Sequence, residues 1–158
     1  MDWKVHPPTP QNFARHFQSF LNIDHPQLRL EILDISDFLM ELSVCDYFFV
    51  TQKASSVALA SILNALDIVC PKLKSVGISS VSIKRSLLYQ IKKTLPDLNF
   101  RGTPEVAECR IQLKIMYDEA VNSQQLETTV KASEIGSPKG VINESEDGQQ
   151  AYVKRKRY

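Results

Sequence analysis

Residues 55–69 read Ser55-Ser56-Val57-Ala58-Leu59-Ala60-Ser61-Ile62-Leu63-Asn64-Ala65-Leu66-Asp67-Ile68-Val69, and they decide the fold. The run contains neither glycine nor proline and is long enough for about four turns of helix. Val57, Ala58, Leu59, Ala60, Ile62, Leu63, Ala65 and Leu66 leave almost no polar face. A helix that is apolar nearly all round is buried by neighbours on every side. Its alanines permit close approach of those neighbours. The stretch therefore predicts a central helix around which the others pack, and Pro71 is expected to stop it.

Helical start signals recur on both sides of this hub. In Pro7-Pro8-Thr9-Pro10, Thr9 suits an N-cap and Pro10 the first helical position, after which Phe13, Phe17, Phe20 and Leu21 mark one face. Asp24-His25-Pro26 opens a second helix by the same logic. Its stripe Leu28, Ile32, Ile35, Leu39, Leu42 runs at 4-3-4-3 spacing, with Phe38 beside it and Glu31, Asp34, Asp37 and Glu41 turned away. The aromatic link Asp46-Tyr47-Phe48-Phe49-Val50-Thr51 is expected to be extended and packed down. Beyond the hub, a loop through Gly77 leads to Ser79-Ser80 and a helix carrying Ile83, Leu87, Ile91 and Leu95, with Leu88 alongside. Pro96 ends it, and residues 97–102 read as a loop. Thr103-Pro104-Glu105 repeats the cap-then-proline start, and Val106, Cys109, Leu113 and Met116 or Tyr117 form a last stripe ending near Ala120. The expectation is an all-α domain of five helices with one buried central helix, occupying residues 1–120.

Composition supports one such domain. The chain has 158 residues, 43% of them hydrophobic, enough for a real core, and only five glycines, which speaks against an all-β sandwich. A net charge of +1 supplies no global field toward nucleic acid or membrane. Residues 121–158 differ: they hold three of the five glycines, no Phe or Trp, and no sustained apolar stripe. Such a segment is expected to be a disordered tail, ending in a basic cluster. Three scattered cysteines suggest a reduced, intracellular protein, and the proline-rich start lacks the apolar core of a signal peptide. No run of about 18 apolar residues would span a bilayer.

Reacting groups find no convincing setting. His6, His16 and His25 have no ligand spacing with Cys45, Cys70 or Cys109, so neither a metal nor a cofactor is expected. No Gly-rich phosphate loop or Ser/His/Asp arrangement is present. No catalytic residue is therefore assigned, and the protein is expected not to be an enzyme. Lys84-Arg85, Lys92-Lys93 and Arg101 could line a basic surface, but no aromatics interleave them, and a solvated helix flank is favoured over nucleic-acid binding. Lys154-Arg155-Lys156-Arg157 suits a nuclear-import receptor. Ser137-Pro138-Lys139 offers Ser137 to a proline-directed kinase. Asn143-Glu144-Ser145 matches the glycosylation pattern, which an intracellular chain does not use.

Three stretches, in order, resemble the C-terminal cyclin fold, the second helical repeat of A-, B- and D-type cyclins. Trp3, followed by His6-Pro7-Pro8-Thr9-Pro10 and Phe13, resembles the connection into that repeat. Phe38-Leu39-Met40-Glu41-Leu42-Ser43, then Asp46-Tyr47, resembles the family's Tyr-Leu-x-Glu-Leu segment and the Asp-Tyr that follows it. Ser55-Ser56-Val57-Ala58-Leu59-Ala60 resembles the start of the repeat's central helix, with Ala54 where the family usually has proline. The resemblance runs from residue 1 to about residue 118. It implies a non-enzymatic regulatory subunit that helps to bind and activate a cyclin-dependent kinase in cell-cycle control, in the nucleus and/or the cytoplasm. The family's main kinase-contacting helices and its substrate-docking patch lie in an N-terminal box, which has no counterpart among these residues. Met1 falls where the linker between the boxes would be. The expectation is therefore the C-terminal part of a longer cyclin, with its kinase-contact residues unassigned and an apolar patch exposed where the first box would sit. A DNA-associated transcription-factor repeat and a stand-alone helical adaptor are the alternatives.

Overall fold

The fold is built around α3 (Ala54–Ile68), the expected hub. The computed structural model describes residues 7–98 and 104–134, and among these the chain is all-helical. Every residue of α3 from Ser55 to Leu66 is buried. Three helices close around it: α1 (Pro10–Gln18), α2 (Pro26–Val44) and α6 (Pro104–Glu134). The polar members of α3 are satisfied locally or across a helix pair. Ser61 Oγ donates to the Val57 carbonyl at 3.0 Å, and Asn64 Nδ2 donates to the Arg110 carbonyl at 2.8 Å. Among the described residues no buried side-chain nitrogen or oxygen lacks a partner. That is what lets polar side chains sit in a core without a desolvation penalty.

α2 meets the hub through a face rotated from the expected stripe. Leu28, Ile32, Ser36, Leu39, Met40 and Ser43 are buried, whereas Ile35 and Leu42 are only half-buried. Serine is small enough to let two backbones approach. Its hydroxyl remains satisfied: Ser36 Oγ donates to the Leu33 carbonyl at 2.8 Å, and Ser43 Oγ to that of Met40 at 2.6 Å. Gln18 Nε2 also donates to Ser36 Oγ at 3.2 Å, tying the end of α1 to α2. On the flank of α2, Phe38 packs edge-on against Tyr117 of α6, with ring centroids 6.1 Å apart.

The five expected helices are present, and a sixth, α4 (Cys70–Ser75), replaces the loop expected after Pro71. Pro71 does not simply stop the chain. It sits in the first turn of α4, where its missing N–H costs nothing, and Val69 ends one helix and starts the next. The fully buried Leu73 anchors the short helix. Gly77 then closes it at φ 76°, with Ile78 N–H on the Leu73 carbonyl and Gly77 N–H on that of Lys74, at 2.9 and 3.0 Å. This is a Schellman closure, which needs a left-handed residue where glycine stands. α5 (Ser80–Thr94) follows, capped by Ser79 Oγ and buried through Ser80, Ile83, Leu87 and Ile91.

Two further expectations are corrected. Tyr47–Thr51 is a 3-10 helix rather than an extended link. Asp46 Oδ1 accepts from the Phe48 N–H at 2.9 Å, which starts the turn, and the buried Phe49 holds it down. α6 does not end near Ala120 but continues through Glu134. Gly136 and Pro138 are the first breakers after Pro104, and half of residues 121–134 are strong helix formers. Extending an existing helix needs no new nucleus, so a missing apolar stripe does not end it. Residues 135–158, assigned to the tail, lie outside the described residues.

The start of α3 carries its own device. Lys53, at the N-cap, has no side-chain cap, and its N–H donates instead to Glu105 Oε1 of α6 at 2.7 Å. Glu105 Oε2 lies 3.5 Å from Lys53 Nζ. A carboxylate here also faces the positive end of the α3 dipole. Glu105→Ala is expected to cost about 1 kcal/mol in urea unfolding, as loss of a helix cap does, and Glu105→Gln less. Equal stability of Glu105→Ala and the wild type would remove this capping role.

Candidate protein-interaction surface

Charge is segregated along the sequence. Residues 68–96 carry six basic side chains and no acidic one, whereas α2 carries four acidic residues and one basic. Part of this charge is spent inside the fold. Lys72 of α4 reaches Glu31 of α2 at 2.5 Å. Asp67, at the end of α3, holds both Lys84 of α5 and Arg110 of α6, the latter at 2.6 Å. These pairs position the basic helices against the rest, and being partly exposed, each contributes modestly.

What remains faces water. On α5, Arg85, Lys92 and Lys93 are exposed and take no described partner, and Tyr89 lies among them, also exposed. The expectation from the sequence is that no aromatic interleaves these basics. Helical spacing corrects it, because Tyr89 is four residues after Arg85 and three or four before Lys92 and Lys93. On α2, Asp34, Asp37 and Glu41 are exposed, with carboxylates that take no partner among the described residues. Arg101, the other member of the predicted basic surface, lies outside the described residues.

Apolar exposure concentrates at one edge. Val44, Tyr47 and Val50 are exposed to 82%, 81% and 72%, at the end of α2 and along the 3-10 helix. The three-residue repeat of a 3-10 helix places Tyr47 and Val50 on one side. Gln112 of α6 fixes this edge by donating to Asp46 Oδ2 at 2.7 Å. The remaining exposed apolar residues are spread over α2, α5, α6 and the end of α4.

The groups considered for chemistry have structural settings where they are described. His25 caps α2, its Nδ1 accepting from the Leu28 N–H at 3.3 Å. His16 is exposed on α1. Among the described residues no three His, Cys, Asp or Glu side chains are grouped to hold a metal, and no helix is long and apolar enough to cross a membrane. His6, Trp3, Ser137, Asn143 and Lys154, Arg155, Lys156 and Arg157 lie outside the described residues. Cys45 is exposed, Cys70 is half-buried with its Sγ 3.3 Å from Ser80 Oγ, and Cys109 is buried.

A family model described as Cyclin, C-terminal domain matches residues 8–98, more than half of the chain. The chain belongs to the cyclin family, in its C-terminal domain. No characterised protein and no solved structure matches it. The matched span covers α1 to α5 of this cyclin domain and stops short of α6, whereas the motif resemblance runs to about residue 118. α6 nevertheless lies along the hub and supplies Glu105 and Arg110 to it.

The cysteines of the cyclin domain give a measurable contrast. Burial, reinforced by Glu105 and Glu108, pushes the Cys109 thiol up from 9.0 to about 11. A thiol reagent near pH 8 is expected to label Cys45 first and Cys70 more slowly, and Cys109 only after unfolding, since the thiolate is the nucleophile. Between pH 9 and 11 the folded protein keeps a proton on Cys109 that the unfolded chain releases. Stability therefore falls as pH rises through that window. Rapid labelling of Cys109 in the native protein, read by mass spectrometry of peptides, would contradict its burial.

Proposed function

We propose that this cyclin C-terminal domain is part of a regulatory subunit that contributes to binding and activating a cyclin-dependent kinase in cell-cycle control. The family match over α1 to α5 is the observation that carries the reading. The hub supports it, because a helix buried on every side makes a rigid platform, and the exposed edge at Val44, Tyr47 and Val50 offers surface to a protein partner. The subunit works by contact, without chemistry of its own, and acts as the C-terminal part of a longer cyclin. Lys154, Arg155, Lys156 and Arg157 serve nuclear import, and the protein distributes between nucleus and cytoplasm.

A tag placed after Tyr158 in the native gene tests this directly. The expected result is a denatured band larger than 17.9 kDa by about one further domain, on the order of 100 residues. A cyclin-dependent kinase should copurify with it, and kinase activity should be present in the purified complex. Copurification of an inactive kinase, or none at all, would sink the activator reading. A band near 17.9 kDa would sink the two-box reading separately.

A further inference from the structure

α2 and α5 turn stripes of matching spacing and opposite charge away from the core. On α2, Leu30, Asp34, Asp37, Glu41 and Val44 follow one another at 4-3-4-3 spacing, and all five are exposed. On α5 and its C-cap, Val81, Arg85, Leu88, Lys92 and Leu95 follow the same spacing, the first four exposed and Leu95 half-buried. Such spacing lines up one face of a helix. Asp34 and Glu41 are seven residues apart, about 10.5 Å along the axis, and so are Arg85 and Lys92. None of these four charged groups takes a side-chain partner among the described residues. Because each charged pair is separated by the same seven residues, the charges meet whether the helices run parallel or antiparallel.

We propose that these two stripes pair between copies of this chain. The outward face of α2 in one copy docks on that of α5 in another, Asp34 and Glu41 facing Arg85 and Lys92, with the apolar Leu30 and Val44 at the two ends of the α2 stripe. Val81 and Leu88 argue for a protein helix as the occupant, since aliphatic side chains gain nothing from a phosphate backbone. The choice of a second copy rests on the complement being in this same molecule, with carboxylates free in the required register. Each copy carries both halves, so the contact is head-to-tail and grows with concentration. Lys74, Arg85, Lys92 and Lys93, which take no partner among the described residues, steer the approach, and added salt weakens it.

Sedimentation of the full chain tests the pairing. At about 50 mM salt the mass is expected to rise with concentration, and at about 500 mM salt to return to that of one chain. D34K/E41K and R85E/K92E should each lose self-association, at about fivefold per reversed pair, and their mixture should regain it. E108K/E119K makes the same charge change as D34K/E41K on exposed positions of α6 and should associate like the wild type. Circular dichroism confirms that each variant is folded. A mass that stays at one chain throughout would overturn the proposal. Association that survives high salt, or that persists in R85E/K92E, would also overturn it and move the contact to the Val44, Tyr47 and Val50 edge. Duplex DNA bound through Arg85 and Lys92, with no self-association, would overturn it in favour of a polyanion site.

Discussion

Replacing Ile62 by alanine is expected to destabilise the domain by about 3–4 kcal/mol, measured as a shift of the urea midpoint at constant slope. Ile62 is 0% exposed at the middle of α3, the helix on which α1, α2 and α6 converge. Truncation there loses the transfer free energy of three carbons. It also leaves a cavity that three independent helices cannot jointly collapse to fill. Against a net stability of about 5–15 kcal/mol, such a loss is a large fraction of the whole. Ala60→Leu should also destabilise, by about 1–3 kcal/mol, because the alanine is a close-approach position and added carbons force the helices apart. Leu30→Ala, at a residue 59% exposed, should change stability by no more than about 0.5 kcal/mol. If Ile62→Ala cost no more than Leu30→Ala, α3 would not be the hub.

That hub was legible because its signal was redundant. Twelve consecutive buried residues need no periodicity to be recognised, only the absence of a polar face. The start signals at Pro10, Pro26, Ser79 and Pro104 were equally readable, since a proline or a serine before an apolar stripe acts through local geometry alone. Pro71 was misread because the same residue ends one helix and begins another, and only the burial of Leu73 decides between them. On α2 the stripe was counted by hydrophobicity. The structure instead buries Ser36 and Ser43, which are small and can return their hydroxyls to the preceding turn. The length of α6 was misjudged by asking whether residues 121–134 could pack. A helix already nucleated from Pro104 needs only propensity to continue.

The surface was less legible than the core, for a different reason. Two features were recoverable by counting helix positions: Tyr89 among Arg85, Lys92 and Lys93, and the outward stripe of α2. Nothing in the sequence links Lys53 to Glu105, Asn64 to Arg110, or Asp46 to Gln112, each pair separated by 46 to 66 residues. Such contacts depend on the angle and offset at which helices cross. Apolar patterning does not encode those quantities, because several crossing geometries bury the same stripe. The family match covers α1 to α5, whereas the start of α6 is legible at Pro104 and its place against the hub comes from its contacts.

Arg110→Ala is expected to cost about 2 kcal/mol, the second largest effect, and to act mainly through a neighbour. The Arg110 side chain donates from Nε to Asn64 Oδ1 at 3.1 Å and from Nη2 to Asp67 Oδ2 at 2.6 Å. Its carbonyl accepts from Asn64 Nδ2 at 2.8 Å, and the alanine variant keeps that bond. The truncation therefore leaves the carbonyl oxygen of Asn64, a residue 5% exposed, without its donor, and an orphaned buried acceptor costs about 1–3 kcal/mol. Asp67 keeps Lys84 and faces water, so its share is smaller. Asn64→Leu combined with Arg110→Leu should cost less than the sum of the two single changes, because the double variant orphans neither partner. Raising the salt to about 1 M should shrink the coupling between Arg110 and Asp67 while leaving that between Arg110 and Asn64 nearly intact. Strict additivity of Asn64→Leu and Arg110→Leu would mean that the pair does not latch α6 to α3. A coupling that vanished with salt would mean that the ion pair with Asp67, rather than the buried amide, holds the two helices together.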